Sequence, residues 1–193
     1  MNSQQNGFTL LELVIAIFVL GILAVVAAPR FLNIQDDAYL AKIEDIATNL
    51  QTGVKFTQSQ WLANGATPEA QVNLQGYGGG SLDVNEFGYP LGTNKGNSNG
   101  KIGSPFNIGK NNPGCIAVWE ALLGAEYRLS NSNNQHDAVD FITKRVKDSS
   151  GHWSVCYYIY TVKGYDDDPD SAQFVIWYDS KQGTASTTKP GRL

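Results

Sequence analysis

From Leu13 to Ala28 every residue is apolar or glycine, and the run opens on a single carboxylate, Glu12. As a helix, the stretch from Phe8 to Ala28 spans about 30 Å, roughly the hydrocarbon thickness of a bilayer. A charge beside hydrocarbon is costly at the bilayer centre and less so near its edge, so a lone Glu there needs a partner. Gly21 and Pro29 punctuate the run. Proline lacks an N–H and its ring clashes with the preceding turn, which predicts a kink or local melting between Ala24 and Pro29. Beyond Arg30 the pattern turns amphipathic. Leu40, Ile43, Ala47, Leu50 and Val54 recur at three- and four-residue intervals and Trp61 continues the face, with Lys42, Glu44 and Asp45 opposite. Gly65 and Pro68 end it. The predicted helix runs from about Phe8 to about Asn64, about 85 Å at the usual rise per residue. A domain of this size cannot bury such a rod, so half of it must lie in membrane or among neighbours.

The 193 residues fit one domain with an appendage. The remaining chain is polar, rich in Asn, Gly and Ser, and the net charge of −4 argues against a general nucleic-acid binder, which needs clustered cations. Cys115 and Cys156, an even pair downstream of an apolar anchor, suggest one disulfide made in an oxidising compartment. That bridge would join a short helix predicted around Ile116 to Tyr127 to an aromatic strand, and would remove about 4 kcal/mol of unfolded-state entropy. Thr67 to Pro113 reads as loop, with turns at Gly76 to Gly80 and Asn94 to Gly103. Strands are expected at Ala138 to Val146, Trp153 to Val162 and Gln173 to Tyr178, the last two as a hairpin around Gly164 to Ser171. The polar tail, residues 183–193 with Pro190, is expected to be flexible.

Gly7-Phe8-Thr9-Leu10-Leu11-Glu12 leading into the apolar run resembles the type IV pilins and pseudopilins, membrane-stored subunits that form filaments. The resemblance implies that residues 1–7 are a leader and that a prepilin peptidase cuts after Gly7 and methylates the new amine of Phe8. The leader departs from the family in carrying neither Lys nor Arg. In a bundle of staggered parallel helices the Glu12 carboxylate can meet the free amine of an adjoining Phe8, which neutralises two charges in a greasy core. The family resemblance implies that same assembly role for Glu12; a snorkelling Glu at an ordinary anchor is the plainer reading. Ala27-Ala28-Pro29-Arg30-Phe31-Leu32-Asn33, Phe87-Gly88-Tyr89-Pro90, the Cys115 stretch and Cys156-Tyr157-Tyr158 are similar to the mannose-sensitive haemagglutinin (MSHA) pilins. Taken alone, Gly-Tyr-Pro with flanking aromatics is also simply a turn held against an apolar surface.

The implied fold is α+β: one long N-terminal helix, half protruding and transmembrane before assembly, packed on a small antiparallel sheet with a disulfide-bounded C-terminal region. Residues 8–29 would form the membrane and filament-core segment, 30–64 the amphipathic part, and 65–182 the head. The implied partners are other pilin copies, the prepilin peptidase, inner-membrane assembly machinery and the membrane itself. The subunit would wait in the bacterial inner membrane with a periplasmic head and end in an extracellular pilus serving attachment. A type II secretion pseudopilin is the second reading, and a tethered periplasmic enzyme the third. Asp166, Asp168 and Asp170, with Asp167, make an oxygen-rich loop of a kind that holds calcium in pseudopilins. Its spacing does not match an EF-hand, and a solvated acidic turn is commoner. No cofactor is implied. Gly96-Asn97-Ser98-Asn99-Gly100 has the nucleophile-elbow pattern without a strand before it or a helix after it, and His136 and His152 alone cannot make a zinc site.

Overall fold

The computed structural model describes residues 7–93, 95–96, 102–103, 106–148 and 150–191. These fall into two compact units, one ending at Ala41 and the other beginning at Lys42. The first unit is helical throughout from Leu10. Helix α1, Leu10–Ala63, is assigned without a break through Gly21 and Pro29, so the local melting expected between Ala24 and Pro29 is not present. One missing amide donor leaves the rest of the ladder able to hold the turn. Leu10–Ala28 has a mean hydropathy of 3.0 and none of it is buried.

In the second unit, α1 buries one stripe: Ile43, Ile46, Leu50, Val54, Thr57 and Trp61. The spacing of three and four is the helical period, as the sequence predicts. Leu40, placed on that stripe by its spacing, is instead 45% exposed. The stripe rests on a head whose described strands form two sheets. Strands β1 (Leu82–Val84) and β2 (Pro90–Thr93) make an antiparallel hairpin. The larger sheet has the order β3-β4-β5-β6-β7, with β3 Leu129–Ser130, β4 Phe141–Lys147, β5 Ser154–Tyr160, β6 Val175–Asp179 and β7 Thr184–Ser186. It is antiparallel except for the two-residue β3, which lies parallel to β4.

Helix α2, Asn112–Leu123, starts four residues before the expected Ile116, because Pro113 occupies its first turn, where a missing N–H costs nothing. Its buried face is Cys115, Val118 and Trp119, and Ile116 is only partly covered. Gly114 is required there by contact: a Cβ would sit 1.6 Å from the Gly109 carbonyl oxygen. Trp119 packs at 4.8 Å between ring centroids on both Phe141 and Tyr158. The Tyr158 hydroxyl donates to the Cys115 carbonyl at 2.9 Å, beside the Cys115–Cys156 disulfide that joins α2 to β5. The expected bridge is therefore present, with Cα atoms 5.6 Å apart.

Phe87-Gly88-Tyr89-Pro90 forms the β1–β2 turn. The fully buried Asn85 organises it: its Oδ1 accepts the amides of Phe87 and Tyr89, both at 2.9 Å, and its Nδ2 donates to Ser180 O at 2.7 Å. Gly88 has φ 78° and lies on Trp61, where a Cβ would meet the indole at 3.0 Å. The hairpin is thus locked to α1 on one side and to the β6–β7 turn on the other. Three of these strands fall where the sequence suggests flexible or loop structure. β1 and β2 lie in the segment read as loop, and β7 lies in the tail expected to be flexible. The latter is held by Gln51 of α1, whose side chain donates to Gly183 O at 3.0 Å and accepts the Ala185 amide at 2.6 Å.

Asn85→Ala strands two partly buried amides and one buried carbonyl, and should cost about 2–4 kcal/mol of stability. Asn85→Asp keeps both acceptor contacts and, once its carboxyl is protonated, the donation to Ser180 O as well, so at acidic pH it should cost less. Denaturant unfolding of the detergent-solubilised full chain at that pH checks the order; equal losses would contradict the acceptor role.

Candidate assembly site

The apolar N-terminal segment offers a continuous uncovered surface. Phe8 is 92% exposed, and Val14, Ile17, Phe18, Gly21 and Ile22 line a shallow apolar concavity along one side of α1. Glu12, within this surface, turns back on the helix start. One carboxylate oxygen accepts the Thr9 amide at 2.9 Å and the Thr9 hydroxyl at 2.8 Å, while the Thr9 hydroxyl accepts the Glu12 amide at 3.3 Å. This is a capping box: Thr9 caps the first turn and Glu12, three residues on, satisfies the cap's own N–H. Thr-x-x-Glu before an apolar run is the sequence signal that announces such a box, which makes Thr9 legible as well. Residues 1–6 of the expected leader lie outside the described residues. Gly7 stands exposed before the cap, with nothing within 4 Å of where a Cβ would be.

Residues 2–28 match the family model described as the prokaryotic N-terminal methylation motif. Fimbrial protein Q of Moraxella bovis is 31% identical over 154 residues, 80% of this chain and 86% of that protein. The chain belongs to the type IV pilin family. A second similar protein, the type IV narrow pilus major component of Thermus thermophilus, is 35% identical to this pilin over 57 residues, 30% of the chain and 49% of that relative. No solved structure matches.

The pilin's other predicted site residues sit in the head. The acidic loop after β5 does not gather ligands around a point. Asp166 accepts the Asp168 amide at 3.0 Å and the Ser171 hydroxyl at 2.7 Å, Asp168 accepts the Asp170 amide at 3.0 Å, and Asp170 pairs with Lys189 at 2.7 Å. Among the described residues no three His, Cys, Asp or Glu side chains are placed to hold a metal ion. The Asp166 and Asp168 oxygens serve their own loop, as Asp side chains in turns commonly do, and Asp170 faces Lys189. His136 stacks on Tyr165 at 4.6 Å and its Nε2 lies 3.3 Å from Asp137. Residues 97–100 of the nucleophile-elbow pattern lie outside the described residues.

Three carboxyls in the head are held below their ordinary range. Arg128 does this to Asp140 through a two-point contact, the Ser150 hydroxyl does it to Asp148, and the Asp168 amide followed by the Ser171 hydroxyl does it to Asp166. A depressed folded-state value means that the stabilisation is complete above the unfolded carboxyl value and is lost as the pH falls below it. The melting temperature of the solubilised pilin should therefore be level above about pH 5 and fall below about pH 4. Asp140→Asn should flatten part of that fall, and an unchanged profile would count against the Arg128 contact.

Proposed function

We propose that this pilin is a structural subunit of an MSHA-like type IV pilus serving attachment to surfaces. In this reading prepilin peptidase cuts it between Gly7 and Phe8 and methylates the Phe8 amine, and the subunit polymerises through residues 8–28. The observation that carries the reading is the Leu10–Ala28 helix, apolar on every side and buried on none. Such a surface needs lipid or other helices around it, and moving it from one to the other is nearly neutral in hydrophobic terms. Register then rests on polar contacts and on the heads.

Glu12 suits the first of these. In the single subunit its carboxylate is satisfied by Thr9. Cutting before Phe8 creates a cation one residue ahead of Thr9, so the head group of the helix carries both members of a pair. In a filament core the acid of one subunit meets the amine of the next, and removing either leaves a buried charge uncompensated. The capping turn places the carboxylate at the helix start, where an incoming amine can reach it. Gly21 and Pro29 are the soft points of the helix, since one adds backbone freedom and the other removes a hydrogen bond.

The disulfide supports a head that matures in an oxidising periplasm while the apolar segment waits in the inner membrane, in contact with the assembly machinery. The MSHA-like stretch Phe87 to Pro90 supports the attachment role by the resemblance of its residues.

Glu12→Ala should leave the subunit folded, with its disulfide formed, yet cut filaments sheared from cells by about ten-fold or more. Mass spectrometry of wild-type filaments should find a mature chain that begins at N-methylated Phe8. Normal piliation by the variant, or mature protein starting at Met1, would sink the proposal.

A further inference from the structure

The head carries opposite charge at the two ends of its large sheet. Antiparallel register puts Lys147 of β4 opposite Ser154, the first residue of β5, and Phe141 opposite Tyr160, the last. At the β4-end side, the Arg145 guanidinium bonds Asn107 Oδ1 at 3.1 Å, the Ile108 carbonyl and Asn111 Oδ1, which gathers the 107–111 loop around it. Lys110 stands exposed on that loop, and Lys95 lies against Gly109 of the same loop, where a Cβ would be 3.2 Å from its Cβ and Cδ. Burial, and then the positive charges of Arg145 and Lys147, push the Lys95 ammonium below its ordinary range, while Asp83 opposes them. Asp83, Asp148 and Asp179 nearby offset part of this charge, and each is held by hydrogen bonds within the head. Asp83 accepts the Asn73 and Lys95 amides, Asp148 accepts the Trp153 amide and the Ser150 hydroxyl, and buried Asp179 accepts the Trp153 indole N–H at 2.7 Å. Among the described residues neither Lys110 nor Lys147 is in an ion pair.

The other end of β5, about 23 Å away for seven strand residues, leads into the loop carrying Asp166, Asp167, Asp168 and Asp170. Exposed Asp137 is brought beside it by the stacking of His136 on Tyr165. Lys163 shares the loop and Lys189 covers Asp170, so the cations there offset the acids only in part. Asp167 accepts the Asn133 side-chain amide at 3.2 Å and is exposed.

We infer that the basic end formed by Lys110, Lys147, Lys95 and Arg145 docks the acidic β5–β6 loop of a second copy of this pilin. The inference rests on the filament reading above and adds to it which head surfaces meet. A surface that complements a different surface on an identical copy makes a heterologous contact, which propagates as an open helical polymer unless the rotation closes a ring. A two-fold dimer that pairs both ends closes on itself and does not propagate, so a filament needs the head-to-tail form of the contact. Each exposed pair contributes little by itself. Repeated at every subunit, the pairs reject registers that set like charges face to face and select the one that matches.

The test uses the full-length pilin expressed in cells and substitutes exposed residues; Asp167 bonds Asn133 and Asp170 pairs with Lys189, so folding is followed alongside assembly. Lys110→Glu with Lys147→Glu, and separately Asp167→Lys with Asp170→Lys, should each lower the yield of sheared filaments about ten-fold. Combining all four substitutions should restore the yield to within about three-fold of wild type, since the attraction is rebuilt with its signs exchanged. The membrane pool of disulfide-bonded subunit, read on non-reducing gels, reports folding. Wild-type filaments should also fragment as salt rises from about 0.05 to about 1 M, because screening shortens the reach of charge. Normal filaments from either double variant, a fourfold variant no better than its parents, or salt-indifferent filaments would each overturn the inference. Glu12→Ala measured in parallel separates the two proposals. If it assembles normally, the filament reading fails; if it does not while the charge variants assemble, only the head contact fails.

Discussion

One continuous helix has to satisfy two solvents with the same backbone. Its first part, Leu10–Ala28, presents hydrocarbon in every direction, and the part from Ile43 onward presents a single stripe. A helix closes its own hydrogen bonds, so it is the one element that can pass from lipid to protein without exposing amides on the way. Three parts of the head are fitted to the helix that carries that stripe. Gln51 grips the last strand, Gly88 of the hairpin lies on Trp61, and Gly53 of the helix would crowd Leu122 of α2 if it carried a Cβ.

The head's own stability is concentrated where α2 meets the middle strand. Cys115, Trp119, Phe141, Cys156 and Tyr158 are all fully buried. The hydroxyl of Tyr158 is spent on a backbone carbonyl next to the disulfide, so polar and covalent links coincide. The outer face of the sheet has a second apolar cluster of Trp153, Tyr157 and Trp177, partly covered by Phe106 and Tyr165 from loops. Polar, loop-rich composition therefore coexists with two aromatic layers.

What could be read from the chain depended on how local the cause was. The stripe from Ile43 to Trp61 obeys the helical period, and β5 is a dense run of aromatic and branched residues, so both are visible without a fold. β1 and β2 are three and four residues long, include Pro90 and Gly92, and exist because Asp83, Asn85 and Gln71 tie distant backbone together. β7 depends on a side chain 134 positions away. No window of neighbouring residues holds that information. At the helix start, the order of residues from Gly7 to Glu12 is itself the signal of the motif that residues 2–28 match, whereas the Thr9 contact itself shows in the geometry. The acidic loop shows the converse: four aspartates in a row of five look like ligands until geometry shows two of them capping their own turn.

The Cys115–Cys156 bridge also sets how far a stretched subunit can lengthen. It closes off 41 positions of chain, among them β3 and β4. Fully extended, that much polypeptide would reach about 140 Å. Tension entering on one side of the bridge leaves through the sulfurs, so those residues add no slack while the bond holds. In a fibre made of such units, any lengthening of a subunit must come from the residues outside the bridge.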